Sequence, residues 1–264
     1  MELQGLLDRA IRASIRAGQE ILTVYHSVDF GIEYKDDNSP LTLADKKSND
    51  IIVGELKGTE IPILSEEIKD QPYSIRKNWD LLWIVDPLDG TKEFIKRNGD
   101  FTVNIALVER GVPILGVVYV PVSGELYYGM RDFGSFSVEI KDYDTACEEI
   151  FAKSEKLPKT KGNRPFTVVA SLSHNNAETS DFIDKLRDKH RDLQIKSRGS
   201  SIKICMIASG DADVYPRFAP TMEWDTAAGH AIAKYTGKHF VNADTGKELE
   251  YNKEKLLNPS FVVK

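Results

Sequence analysis

Residues 81–91 read Leu-Leu-Trp-Ile-Val-Asp-Pro-Leu-Asp-Gly-Thr, an apolar run cut off by a turn that carries two carboxylates. A short apolar run bounded by turn formers reads as a buried strand. Pro87 and Gly90 end it, because proline has no N–H for a sheet ladder and glycine admits backbone angles closed to other residues. Asp86 and Asp89 therefore sit three positions apart where a core strand meets a loop. Two carboxylates so placed repel each other and lose hydration unless a cation joins them. An acidic turn that merely stops a strand is the plain reading. A divalent-metal site is the sharper one.

The 264-residue chain is long enough for one large domain or two smaller ones. Leucine, isoleucine and alanine recur at three- and four-residue spacing from Leu3 to Tyr25, which predicts an amphipathic first helix. A second helix is expected from Leu43 to about residue 56. Strand-like stretches follow at 61–64, 80–86, 101–109, 112–121, 124–130 and 134–140, with turn signals such as Glu109-Arg110-Gly111 between them. That succession predicts an antiparallel sheet. Beyond residue 150 strands and helices alternate: strand 166–171, helix 177–190, helix 200–209, strand 212–218 and helix 224–236. Such alternation points to an α/β layer with parallel strands. The polar segment 153–164 marks the expected boundary, giving an N-terminal α+β part (1–152) with the metal site and a C-terminal α/β part (153–264) with ligand-binding loops. A cleft between two such parts is a common ligand site.

Charge and cysteine usage narrow the partners. A net charge of −6 argues against a nucleic-acid polymer or an anionic membrane surface as partner. No apolar run approaches the roughly 20 residues of a membrane span. The N-terminus lacks the charged-then-apolar layout of a secretion signal. Cys147 and Cys205 are too far apart for metal-ligand spacing and fit a reduced cytoplasm. The oligomeric state is not legible.

Glu66 and Glu67 follow the stretch 61–64, about 20 residues before Asp86. If the two strands are neighbours, their ends bring Glu66, Asp86 and Asp89 together. Oxygen ligands without nearby His or Cys suit Mg²⁺ or Mn²⁺. Asp225 opens the helix Trp224-Asp225-Thr226-Ala227-Ala228-Gly229-His230, where capping is an equal reading. Thr42 and Asp45 fit a capping box, and spacing alone favours that role for Asp45. Thr91 is either a capping hydroxyl or a group beside a reacting water. On the C-terminal side Ser173-His174, Ser197-Arg198-Gly199-Ser200-Ser201, Lys203 and Pro216-Arg217 offer cations and hydroxyls suited to phosphate oxygens.

Taken together, Ser65-Glu66-Glu67, the run Trp83 to Thr91 and the run Trp224 to His230 resemble the signatures of the inositol-monophosphatase-like, lithium-sensitive phosphatases. The resemblance extends from Asp45 to Asn258-Pro259. Within that family, the continuation Lys92-Glu93-Phe94-Ile95-Lys96-Arg97, Ser173-His174 and Tyr215-Pro216-Arg217-Phe218 are similar to bacterial 3′(2′),5′-bisphosphate nucleotidases. The fold so implied is a layered α-β-α-β-α sandwich of the inositol monophosphatase and fructose-bisphosphatase type. The resemblance also implies two or three Mg²⁺ ions held by Glu66, Asp86, the Leu88 carbonyl, Asp89 and Asp225. It assigns water activation to Asp45 and Thr91 with help from Glu66. Gly90, Thr91, His174, Ser200, Lys203, Arg217 and Asp225 become substrate contacts. Ser201 is the alternative to Ser200, and the Ser-x-x-Lys spacing favours Ser200. The implied reaction removes the 3′-phosphate of adenosine 3′,5′-bisphosphate, and of its sulfated analogue, without a phosphoenzyme. Inositol monophosphate or a sugar bisphosphate is the alternative substrate. A nucleotide binder without turnover is disfavoured, because it has no use for a water-activating pair.

Overall fold

The computed structural model describes residues 2–34, 40–68, 71–159, 164–171 and 176–264. The N-terminal half runs α1 (Leu3–Tyr25), β1 (Glu33–Tyr34), β2 (Pro40–Leu41), α2 (Leu43–Lys57), β3 (Ile63–Ser65), α3 (Tyr73–Arg76), β4 (Leu81–Asp89), α4 (Thr91–Ile95), β5 (Thr102–Glu109), β6 (Val112–Val120), β7 (Glu125–Met130) and β8 (Gly134–Glu139). It continues through α5 (Cys147–Lys153), β9 (Glu155–Lys156), β10 (Thr167–Ser171), α6 (Ala177–Arg187), β11 (Gln194–Arg198), α7 (Ile202–Ser209), β12 (Tyr215–Arg217), α8 (Glu223–Lys234), β13 (Phe240–Asn242) and β14 (Phe261–Val263).

Strands β3 to β9 form one seven-stranded sheet in chain order, antiparallel except for the parallel pair β3–β4. Its strands read as continuous apolar runs because both faces are covered. The two-residue alternation of a strand sends Trp83, Val85, Val103, Ile105 and Val117 into a core with α1 and α2. The intervening Leu82, Ile84, Ala106, Val108 and Val118 pack against α7 and α8 on the opposite face. Helix α8 lies so close that a Cβ at Gly116 would meet the Ala228 carbonyl at 2.2 Å, which requires glycine there.

Beyond α7 and α8 lies a second layer of strands. Strands β10 and β11 pair in parallel, although the sequence reading marks no strand at 194–198, and β10 also meets Val214 just before β12 through one parallel bridge. The order β12-β14-β13 departs from the expectation of parallel strands, because both of its pairings are antiparallel. Strands β13 and β14 are joined by a loop rather than a crossover helix, and at three residues each they are too short to show alternation. Helix α6 covers the outer face, with Ile183 packed on Val168, Val214 and Val262. The layers are therefore α1/α2, large sheet, α7/α8, the two small sheets side by side and α6, the expected order. Among the described residues no helix is long and apolar enough to cross a membrane.

Candidate active site

The site forms where β3 and β4 end side by side. Their parallel register pairs Ser65 with Val85, and the Glu66 amide donates to the Val85 carbonyl at 3.2 Å. Glu66 is thereby brought beside Asp86. The next step of β4 is irregular: Asp86 pairs with Asn104, but Asp89 pairs with Thr102, so β4 carries one extra residue. Residues three apart on a regular strand face opposite sides. The bulge resets that parity, and Pro87 sits inside it, where no ladder donor is needed.

The third carboxylate comes from the first turn of α8. Asp225 Oδ2 accepts from the Met222 amide at 2.8 Å, a cap on the helix N-terminus. Ligand oxygens of Asp86, Asp89 and Asp225 lie within 4.8 Å of one another. Asp45 repeats the arrangement on α2. Its Oδ2 accepts from the Thr42 amide at 2.7 Å and from the Thr42 hydroxyl, while Oδ1 accepts from Thr91 Oγ1 at 3.2 Å. The cap thus takes one oxygen of the carboxylate and leaves the other on Thr91, so a capping role does not preclude a second one.

Electrostatics follow from burial. Desolvation raises the Asp86 carboxyl well above its ordinary range, and Glu66, Asp89, Asp225 and Asp45 push it further. Burial and then Asp89 do the same to Asp225. Asp89 is also raised by burial, against the opposing charge of Lys203 and the bonds from Ser201. This oxygen-only donor set, strained by its own charge, fits a hard divalent cation. The Leu88 carbonyl lies 3.5 Å from Thr91 Oγ1, between the Asp86 and Asp89 side chains in sequence.

Gly90 joins this group to the cleft. It adopts φ +97°, and a Cβ there would meet Ser200 Oγ at 2.2 Å. The cleft is lined by Asp89, Gly90, Glu93, Lys203, Arg217 and Asp225 among others. Lys203 is buried; its ammonium donates to the Ser200 carbonyl at 2.8 Å and the Arg198 carbonyl at 3.2 Å. Burial lowers its pKa to about 8. Arg217 donates through Nη2 to the Pro220 carbonyl at 3.1 Å, while its buried Nε has no hydrogen-bond partner among the described residues. Ser200 Oγ reaches the Asp89 carbonyl at 2.8 Å and the Asp100 carbonyl at 2.7 Å. His174 lies outside the described residues.

Sequence reasoning missed Asp100, Thr102 and Asn104, and named Ser201 only as an alternative substrate contact. Asp100 accepts from the Gly199 amide at 2.7 Å and pairs with Arg198, holding the 198–200 loop against Gly90. Thr102, Asn104 and Ser201 gather around the Asp89 carboxylate. No motif advertises Asp100, Thr102 and Asn104; they are ordinary polar residues in and just before β5. Arg97, part of the sequence run shared with nucleotidases, instead donates to the Tyr25 and Ser27 carbonyls at the end of α1.

This fold and acidic cleft are those of a known class: the chain belongs to the inositol monophosphatase family, whose sequence model matches residues 2–262. Within it, the chain is 43% identical over 263 residues to the 3′(2′),5′-bisphosphate nucleotidase CysQ of Escherichia coli (strain K12), covering 98% of this chain and 99% of that protein. The crystal structure of CysQ from Bacteroides thetaiotaomicron superposes with a TM-score of 0.91 at 50% identity, covering 99% of this chain and 97% of that one. The Thermotoga maritima IMPase shares the fold at a TM-score of 0.74 and 23% identity, over 98% of this chain and 91% of that one.

Proposed function

We propose that this chain is a Mg²⁺-dependent phosphatase that removes the 3′-phosphate of adenosine 3′,5′-bisphosphate, leaving AMP, and that it acts likewise on 3′-phosphoadenylyl sulfate. The observation that carries the reading is the meeting of the Asp86, Asp89 and Asp225 carboxylates with the hydrogen-bonded Thr91–Asp45 pair beside the cleft. Glu66, Asp86, Asp89, Asp225 and the Leu88 carbonyl would hold two or three Mg²⁺ ions, which would supply charge neutralisation on the phosphate and the departing ribose oxygen.

The chain's own residues do the rest. Thr91 donates its hydroxyl proton to Asp45, which turns an oxygen lone pair toward an incoming water. Asp45 cannot swing away, because its other oxygen is tied into the start of α2. Burial raises its proton affinity, which suits a group that must end the step holding a proton. Lys203 and Arg217 hold the phosphate that is not cleaved; Arg217 Nε brings an unspent donor. A phosphoenzyme has no support among the described residues. Ser200 and Ser201 hydroxyls are engaged with carbonyls and Asp89, and both cysteines are buried with thiols raised by desolvation. Two buried free thiols also suit the reducing cytoplasm.

A phosphate-release assay with Mg²⁺ tests the reading across adenosine 3′,5′-bisphosphate, its sulfated analogue, inositol 1-phosphate and fructose 1,6-bisphosphate. The expected order puts the two nucleotides first in kcat/KM. Inositol 1-phosphate or the sugar bisphosphate in first place would replace this substrate assignment.

A further inference from the structure

Four polar groups surround one oxygen of Asp89. Oδ2 lies 2.8 Å from the Ser201 amide, 3.0 Å from Ser201 Oγ, and 3.4 Å from both Thr102 Oγ1 and Asn104 Nδ2. The Ser201 hydroxyl is shared more widely. It accepts from Asn104 Nδ2 at 2.9 Å and lies 2.9 Å from the Asp225 carbonyl in the first turn of α8. Asn104 is itself held, accepting from Thr102 Oγ1 at 3.0 Å. Thr102, Asn104 and Ser201 are all buried. The single Ser201 hydroxyl proton is shared between Asp89 Oδ2 and the Asp225 carbonyl, and with the bond accepted from Asn104 this group ties the end of β4, strand β5 and the starts of α7 and α8.

We propose that Ser201 is a positioning residue of the metal site: it locks the Asp89 carboxylate and fixes its distance from the α8 turn that carries Asp225. The proposal rests on the phosphatase reading given above. A carboxylate held by one bond pivots about that bond, whereas amide and hydroxyl arriving together at Oδ2 fix its plane. Both bonds are to a charged acceptor, so they favour the ionised form that a cation needs. The neighbouring Ser200 has another task, since its hydroxyl lies between the Asp89 and Asp100 carbonyls. Partners that orient a metal ligand in this way are worth about ten- to hundredfold in metal affinity or activity.

The test compares wild type, Ser201→Ala, Ser201→Thr and Ser201→Cys by calorimetric titration with Mg²⁺, by melting temperature with and without Mg²⁺, and by kinetics at saturating Mg²⁺. Ser201→Ala should weaken Mg²⁺ binding about ten- to hundredfold, with a melting temperature near wild type in the absence of metal and an unchanged KM. Ser201→Thr, which keeps the hydroxyl, should restore binding. Ser201→Cys, of similar size but a weaker donor, should fall between, and it carries the test if the alanine variant does not fold. Wild-type Mg²⁺ affinity in Ser201→Ala with a raised KM would overturn the proposal and make the hydroxyl a substrate contact. Wild-type protein that neither binds Mg²⁺ nor releases phosphate would instead sink the phosphatase reading itself.

Discussion

Replacing Asp45 by Asn separates the two tasks of one carboxylate. Oδ2 accepts the Thr42 amide at 2.7 Å and Oδ1 accepts the Thr91 hydroxyl at 3.2 Å. Asparagine has a single acceptor oxygen. The helix start needs that oxygen for the Thr42 N–H, so the amide NH₂ must face Thr91. There it meets the Thr91 oxygen as a donor, and the Thr91 proton loses its acceptor. The remaining candidate, the Leu88 carbonyl, is 3.5 Å away. General-base assistance is typically worth about 10²–10⁴ in rate, or roughly 3–5 kcal/mol at 1.36 kcal/mol per tenfold. Asp45→Asn should therefore lower kcat by about 10²–10⁴, with KM almost unchanged. Stability should move the other way. Asp45 is buried at a cost to its charge, and it is one of the groups that raise Asp86, so the metal-free variant should melt at or above the wild-type temperature. Because Asp45 and Thr91 act as a unit, the double variant with Thr91→Ala should be little slower than the worse single variant. Steady-state phosphate release and thermal melting measure all of this. A kcat loss below tenfold, or free-energy losses that simply add, would refute the pairing.

Three further outcomes are expected. Chelation with EDTA should abolish turnover and Asp89→Asn should nearly do so, while Mg²⁺ should raise the wild-type melting temperature by relieving the Asp86, Asp89 and Asp225 repulsion; full activity in EDTA would exclude a metal mechanism. Arg217→Ala should raise KM for adenosine 3′,5′-bisphosphate about ten- to hundredfold, the worth of a charge-assisted bond, yet leave 3′-AMP nearly unaffected, and equal penalties would assign Arg217 to loop structure. Glu248 is held at about 2, chiefly by the hydrogen bond from His230 and then by Lys234, with which it forms an ion pair. A depressed carboxylate stabilises the fold above its unfolded pKa and loses that contribution as pH falls from about 4.5 toward 2. Denaturation across that window should show a shallower loss in Glu248→Gln, and an identical slope would contradict the linkage.

Much of this molecule is readable from residue order. The strands of the large sheet follow from apolar runs, and their ends from Gly90 and Gly111, because burial and backbone freedom act locally; Pro87, which predicts an end at 86, instead lies in a bulge of β4, which runs on to Asp89. The meeting of Glu66 with Asp86 follows from two adjacent strands that share a direction. Family membership is equally legible, since the acidic turn and the Trp224–His230 run are contiguous. What sequence leaves open is which atom each polar group serves. Ser200 and Ser201 are neighbours with the same side chain, yet one bonds backbone carbonyls and the other a carboxylate. Their partner Asp89 is more than a hundred residues away, and no local propensity encodes such a distance. The same holds for Asp45 and Asp225, whose spacing announces a helix cap while tertiary packing brings Thr91 to the second oxygen of Asp45 and Asp86 and Asp89 to the carboxylate of Asp225. Local sequence specifies the elements through steric and hydrophobic preference. Only the assembled layers decide where a buried hydrogen bond finds its partner, because that choice depends on which distant groups have been brought within 3 Å.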